Sequence, residues 1–196
     1  MSHEPGLAAR IDRLESTDAI RQLAARYSLS LDMRDLDAHV NLFAPDIRVS
    51  REKTGRAHLK RWLDDTLRLQ FSGTSHHIGN HIIEFDDPDH AHGVVYSKNE
   101  HETGNEWVIM QMLYWDNYER SDGRWYFRRR LPCYWYATDL SRPPIGANKM
   151  RWPDREPGPL GYVIRFHVPL VQIPPRGIWG RRGQPVLALT DEWVGR

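Results

Sequence analysis

Apolar residues in the first third of the chain recur at three- and four-residue steps. Ile11, Leu14, Ile20, Leu23, Ala24, Tyr27 and Leu31 fall on one helical face. Ser16, Thr17 and Asp18, just ahead of Ala19 and Ile20, offer an N-cap at which that helix can restart. Residues 35–43 predict a second, short helix stopped by Pro45. A short strand is expected over 47–50, and a third helix over 56–69 with Leu59, Trp62, Leu63 and Leu67 on one face. After Gly73 the period changes from helical to twofold. Four strands are expected, over residues 74–85, 91–101, 106–120 and 124–135. Turn residues separate them: Asp86 to Asp89 around Pro88, Gly104-Asn105, and Asp122-Gly123. Such short links imply antiparallel hairpins. Three helices followed by a curling antiparallel sheet predict an α+β fold, with the helices packed on one sheet face.

The pattern breaks at Arg142. Nine of the thirteen prolines lie between Pro143 and Pro185, which argues against a continuous helix or a central strand there. Residues 164–170 alternate apolar and polar and can pack as an edge. Trp152, Tyr162, Phe166, Trp179 and Trp193 give this part apolar groups to bury. The expectation is one domain over residues 1–140. A Pro-rich extension over 141–196 then wraps the core or a neighbouring subunit.

Composition narrows the function classes. With 27 basic and 26 acidic side chains the net charge is +1, so no strong field invites nucleic acid or an anionic membrane. Eight Trp and eight Tyr suit an oligomer interface or a pocket for flat, hydrophobic ligands. Cys133 stands alone, which excludes an internal disulfide and any multi-Cys metal site. There is neither an N-terminal apolar h-region nor an apolar run long enough to span a bilayer, so a soluble, cytoplasmic protein is expected.

The candidate chemistry lies in Tyr27, Asp32 and His76. Strict alternation puts His76, Ile78, Asn80 and Ile82 on one face of the first strand, and His77, Gly79, His81 and Ile83 on the other. On the next strand Val95, Ser97, Asn99 and His101 share a face. An imidazole can take a proton from carbon near neutrality, a carboxylate can orient it, and a phenol can protonate a departing hydroxyl. No metal or other cofactor is required. His77 and His81 lie about 13 Å apart along a strand, too far for one ion. Each residue also has an ordinary role: Tyr27 as core, Asp32 as a helix-end residue, His101 at an exposed strand end. Arg128, Arg129 and Arg130 are expected in surface pairs with nearby acids. Trp107, Trp115, Trp125 and Trp135 are expected on the packed outer surface of the sheet.

Several strings together resemble the SnoaL-like branch of the nuclear-transport-factor-2-like superfamily: residues 19–23, 27–32, 35–37, 42–46, 76–85 and 118–125. The resemblance covers about residues 10–135 and implies a cone-shaped, curved sheet behind three helices. It implies an Asp–His pair at Asp32 and His76, as in scytalone dehydratase and hexachlorocyclohexane dehydrochlorinase. Bile-acid dehydratase adds a tyrosine at the Tyr27 position, and scytalone dehydratase a second histidine at His101. Asn99 falls where the bile-acid enzyme has a carboxylate, and Arg51 where scytalone dehydratase has a tyrosine. The expected activity is a cofactor-independent lyase or isomerase, foremost a dehydratase acting on a steroid-, terpenoid- or polyketide-like carbonyl compound. Tyr27, Asp32, His76 and His101 would be catalytic. Arg51, Asn80, Asn99 and Ile78 would touch substrate. The resemblance also implies a homotrimer or, failing that, a dimer. Two other readings stay open: a non-catalytic small subunit of a ring-hydroxylating dioxygenase, whose strands also end in Asp-Gly-x-Trp, and a polyketide cyclase or ligand-binding protein.

Overall fold

A 26-residue helix, α1 (Leu7–Asp32), opens the fold and spans about 39 Å at the usual rise per residue. The computed structural model describes residues 6–143. The expected extension over 141–196, including the strand at 164–170, therefore lies almost wholly outside the described residues. Thr17 does not cap a restarted helix: its hydroxyl donates back to Arg13 O at 2.8 Å, and α1 continues unbroken. Ile20, Leu23, Ala24 and Leu31 are buried, whereas Leu7, Ile11 and Leu14 are exposed. Only the second half of the apolar face meets the core.

Arg34, at φ 62°, turns the chain out of α1. The Asp35 carboxylate then accepts from Ala38 N at 2.9 Å and caps α2 (Leu36–Val40). This helix stops short of Phe43, because Phe43 leaves to form a parallel bridge with Phe127. Ala44 N donates to Phe127 O at 3.0 Å and Phe127 N to Leu42 O at 2.9 Å. The strand expected over 47–50 reduces to an isolated bridge between Arg48 and Thr54. In α3 (Arg56–Gln70), Leu59 and Leu63 are buried and Leu67 packs against the same cluster, but Trp62 is exposed.

The sheet is a four-stranded antiparallel meander, curved and unclosed: β1 (Gly73–Phe85), β2 (His90–Thr103), β3 (Glu106–Ser121) and β4 (Arg124–Asp139). Asp122 and Gly123, at φ 50° and 72°, make the two-residue turn between β3 and β4 that matches strand twist. Of three register shifts in the sheet, two lie beside side chains that reach the buried centre. In β1 the register shifts between Ile78 and His81, so residues 79 and 80 together oppose one position of β2. In β4 the register shifts beside Tyr118, between its partner Phe127 and Arg129.

Apolar packing fills both sheet faces. On the helix side, Ile20, Leu23, Phe43, Leu59, Tyr118 and Phe127 belong to one buried cluster, and Ala24, Val95, Met112 and Tyr114 form a second. On the other side lie Val94, Leu113, Trp115, Leu131 and Cys133, with Trp135 against them. Trp125 corrects the expectation for the tryptophans: it is buried in the helix-side cluster, since Phe85 and Arg120 meet its ring there. Trp107 is partly exposed, with its indole N–H donating to Glu100 at 3.1 Å.

Gly93 marks a close approach of strands. A Cβ there would stand 2.4 Å from Ile82 O and 3.3 Å from Tyr118 Cε2. Gly93→Ala is expected to cost about 1–3 kcal/mol by overpacking, read as a lower urea midpoint. An unchanged midpoint would mean that β1 yields freely at this point.

Candidate active site

Asp32 is the last residue of α1, where the helix dipole is negative and a carboxylate is unwelcome. Strand β1 compensates with three donors. Thr74 Oγ1 lies 2.9 Å from Asp32 Oδ1, His76 N 2.8 Å from Oδ2, and His76 Nδ1 2.7 Å from Oδ1. The acid and imidazole expected to meet are thus in contact, with side chains 26% and 7% exposed respectively. A carboxylate beside Nδ1 fixes the proton on that nitrogen and leaves Nε2 with its lone pair free. Burial pushes the His76 pKa below its ordinary value, outweighing the upward pull of Asp32.

His101 completes this end of the site. It is buried on β2, and its ring stands edge-on to that of His76, 5.4 Å between centroids at 89°. Phe71 covers its other side at 4.3 Å. Burial first, then the neighbouring His76, push its pKa down to about 4, and its Nδ1 has no partner. The ordinary alternative for His101, an exposed strand-end residue, is therefore not met.

Tyr27 is half-buried and belongs to the apolar wall. It packs with Ile78, Met110 and Tyr134 around Val95, Met112 and Tyr114. Burial, then Tyr114, raise its phenol pKa, while Arg130 pulls it down. Against the ring lies His39, tilted to it with centroids 4.5 Å apart. The His39 Nδ1–H points at Ser30 Oγ, 2.9 Å away, because that hydroxyl donates to Tyr27 O; burial pushes this imidazole down to about 3.

The proposed lining residues divide. Ile78 faces the site. Asn99 pairs across the strands with His76 and is buried, but its amide is taken up by Tyr114 Oη and Met112 Sδ, both at 2.9 Å, and it accepts from Ser97. Asn80 corrects the alternation: it lies in the bulge and is exposed, as is Ile82, while His81 turns inward. His77 and His81 accordingly do not share a face. Arg51 is exposed in the turn closed by Val49 N to Lys53 O, and no described hydrogen bond links it with Asp32 or His76. Among the described residues no group of three or more His, Cys, Asp or Glu is placed to hold a metal ion.

Sequence reasoning missed the charged centre. Arg130 is not a surface cation: its side chain is 3% exposed and that of Asp116 fully buried, joined by two bonds of 3.0 Å. The guanidinium carbon lies 4.2 Å from the Tyr27 ring centroid, 4.0 Å from Tyr114 and 4.4 Å from Phe127. A signal was present. Tyr114, Asp116 and Tyr118 put one acid on an aromatic stripe of period two, and an acid so placed needs a buried cation. Arg128 does pair at the surface, with Asp46 and Glu119.

Four imidazoles on the helix side, His39, His76, His81 and His101, therefore have depressed pKa values. In each case the unfolded chain binds a proton that the folded chain refuses. Stability should be fully present above pH 6.5 and be lost as pH falls through the window from about 6.5 toward about 4. Urea unfolding at stepped pH measures this; a flat profile would show that these rings are not held neutral.

Comparison with known proteins identifies the family and the fold. A model of the SnoaL-like domain matches residues 12–131, more than half of the chain. The chain is 30% identical to a putative scytalone dehydratase from Novosphingobium aromaticivorans, covering 67% of this chain and 91% of that one at a TM-score of 0.59. It is 24% identical to a type 2 hexachlorocyclohexane dehydrochlorinase (LinA), covering 69% and 99% at a TM-score of 0.62, a likeness of fold. No curated protein matches. No helix among the described residues is long and apolar enough to cross a membrane. On the extent of the domain match and the order of its elements, the chain belongs to the SnoaL-like domain family, with the α+β cone fold.

Proposed function

We propose that the protein is a cofactor-independent, dehydratase-type lyase that removes water from a hydrophobic β-hydroxy carbonyl compound. The observation that carries this reading is the 2.7 Å contact between Asp32 and His76, beside a second imidazole and an apolar wall. A non-catalytic subunit has no need of that contact, and a cyclase working by carboxylate alone has no need of the imidazole.

His76 Nε2 takes the proton from the carbon next to the carbonyl. The electrons of that C–H bond form the new double bond, and the hydroxyl on the next carbon departs. Tyr27 Oη protonates it, so that water leaves. Asp32 stabilises the imidazolium that forms. His101 steadies the developing enolate oxygen through its accessible ring nitrogen. The cycle closes when the imidazolium proton returns to the phenolate by way of solvent. Ile78, with Tyr134 and Met110, supplies apolar contact to the substrate, and Asn99 holds Tyr114 in the wall. We also propose a homotrimer, or else a dimer, because apolar side chains crowd both sheet faces, and a place in the cytoplasm.

The aldol adduct of benzaldehyde with acetone is a suitable first substrate, since its dehydration gives a conjugated enone that absorbs in the ultraviolet. The rate should fall roughly 10²–10⁴-fold in His76→Ala. A His76→Ala protein as active as the parent rejects the base. Because the neutral imidazole is the active form and its pKa is depressed, kcat/KM should rise with pH along an acid limb centred below about 6.5. A limb centred above that value would contradict the burial argument.

A further inference from the structure

The bulge in β1 brings a second histidine to the helix side, and it meets a chain of buried hydrogen bonds. His81 Nε2 lies 2.9 Å from Tyr118 Oη, and that hydroxyl donates its only proton to Asp116 Oδ2, also at 2.9 Å. His81 must therefore be the donor, in the Nε2–H tautomer. Asp116 in turn accepts from Arg130 Nε and Nη2, and the guanidinium lies against the Tyr27 ring. Arg130 Nη1 has no hydrogen-bond partner. Aromatic faces occupy the space around it, so the charge is turned toward the rings.

We infer that His81 and Tyr118 are positioning residues that act through Asp116 to hold the Arg130 guanidinium beneath Tyr27, where it stabilises the phenolate left when Tyr27 gives up its proton. The inference rests on Tyr27 being the acid in the proposed dehydration. A buried arginine has no water to orient it, and an unpinned one would shift with its carboxylate. Both Asp116 oxygens are committed to Arg130, and Tyr118 adds a third donor to Oδ2 that fixes the carboxylate from the far side. The charge is also balanced there. Asp116 opposes ionisation of Tyr27 and Arg130 favours it, so the Tyr118 hydroxyl, by drawing on the carboxylate, weakens the opposition of Asp116 to a phenolate that burial and Tyr114 also oppose. The other titratable groups near Tyr27 are Tyr114 from β3, Tyr134 from β4 and His39 from α2. A purely structural ion pair would need none of this alignment with the phenol.

Tyr118→Phe keeps the ring and removes the link, and His81→Leu, which has no donor to offer the Tyr118 hydroxyl, breaks the same chain from its half-buried end, which keeps the test alive should the first variant fold poorly. With a tetrafluorinated tyrosine at position 27, whose phenol is far more acidic, ionisation can be followed by fluorine NMR in the full-length chain without substrate. Each variant should raise the ionisation midpoint by about one pH unit, a tenfold change in equilibrium. Each should also lower kcat on the β-hydroxy ketone by roughly three- to tenfold with KM little changed, and that loss should vanish in a Tyr27→Phe background. A midpoint at position 27 that does not move in either variant overturns the inference, as does a loss of kcat that persists without the phenol. Should the parent chain dehydrate nothing, the dehydratase reading fails while the fluorine titration still decides this one.

Discussion

One carboxylate ties the helical layer to the sheet. Asp32 closes α1 at the end where its charge is least favoured, by an amount of about 0.3–1 kcal/mol. It is held there by a hydroxyl, a backbone amide and an imidazole, all from the first residues of β1. Arg34 reinforces the junction from the helix side, donating to Leu31 O at 2.8 Å and to Thr74 Oγ1 at 2.6 Å. The tautomer of His76 and the direction of its free nitrogen follow from this clasp. Since β2 pairs His101 with Thr74 and Asn99 with His76, the second imidazole is placed by the same register.

The interior of the sheet works under a single electrostatic rule. One cation and one anion, Arg130 and Asp116, are buried as a pair, and every ring near them is kept neutral. Burial is the first cause for His39, His76, His81 and His101 alike, and Arg130 adds to it for the first three. Tyr27 and Tyr114 are pushed the opposite way for the same reason, because burial penalises the phenolate. A third charge can appear only briefly and next to a group that opposes it. In the proposed dehydration Asp32 would do this for an imidazolium at His76, and Arg130 for a phenolate at Tyr27.

The fold was largely legible in the sequence because its determinants are local. Asp-Gly and Gly-Asn turns set the hairpins, and the strand limits observed differ from those expected by only a few residues. The contact of Asp32 with His76 was anticipated through the family resemblance, while spacing alone left Tyr27 and Asp32 with ordinary readings. What escaped was everything beyond a bulge. Alternation carried past Gly79 puts Asn80 inside and His81 outside, and the structure reverses both. Alternation in β4 gives no hint that Phe127 and Arg130, three residues apart, both face the helices. An extra residue in a strand is decided by the partner strand, so no local window of sequence contains it. The shortening of α2 has a similar cause: Phe43 is claimed by Phe127, far along the chain.

The buried ion pair is hard to justify by stability. Desolvating two charges costs several kcal/mol apiece, and a well-packed apolar pair of equal volume would serve the core as well or better, although removing one partner alone would cost about 3–5 kcal/mol. Nor is the pair needed to join β3 to β4, which are already continuous through their backbone register. Its particular property is directional. Two parallel bonds to Asp116 fix the plane of the guanidinium, and three aromatic rings receive its face. A lysine could supply the charge but not the plane. The aromatic wall is thereby set at defined angles around one cation, and Tyr27, the half-buried member, is the ring through which that arrangement reaches the site.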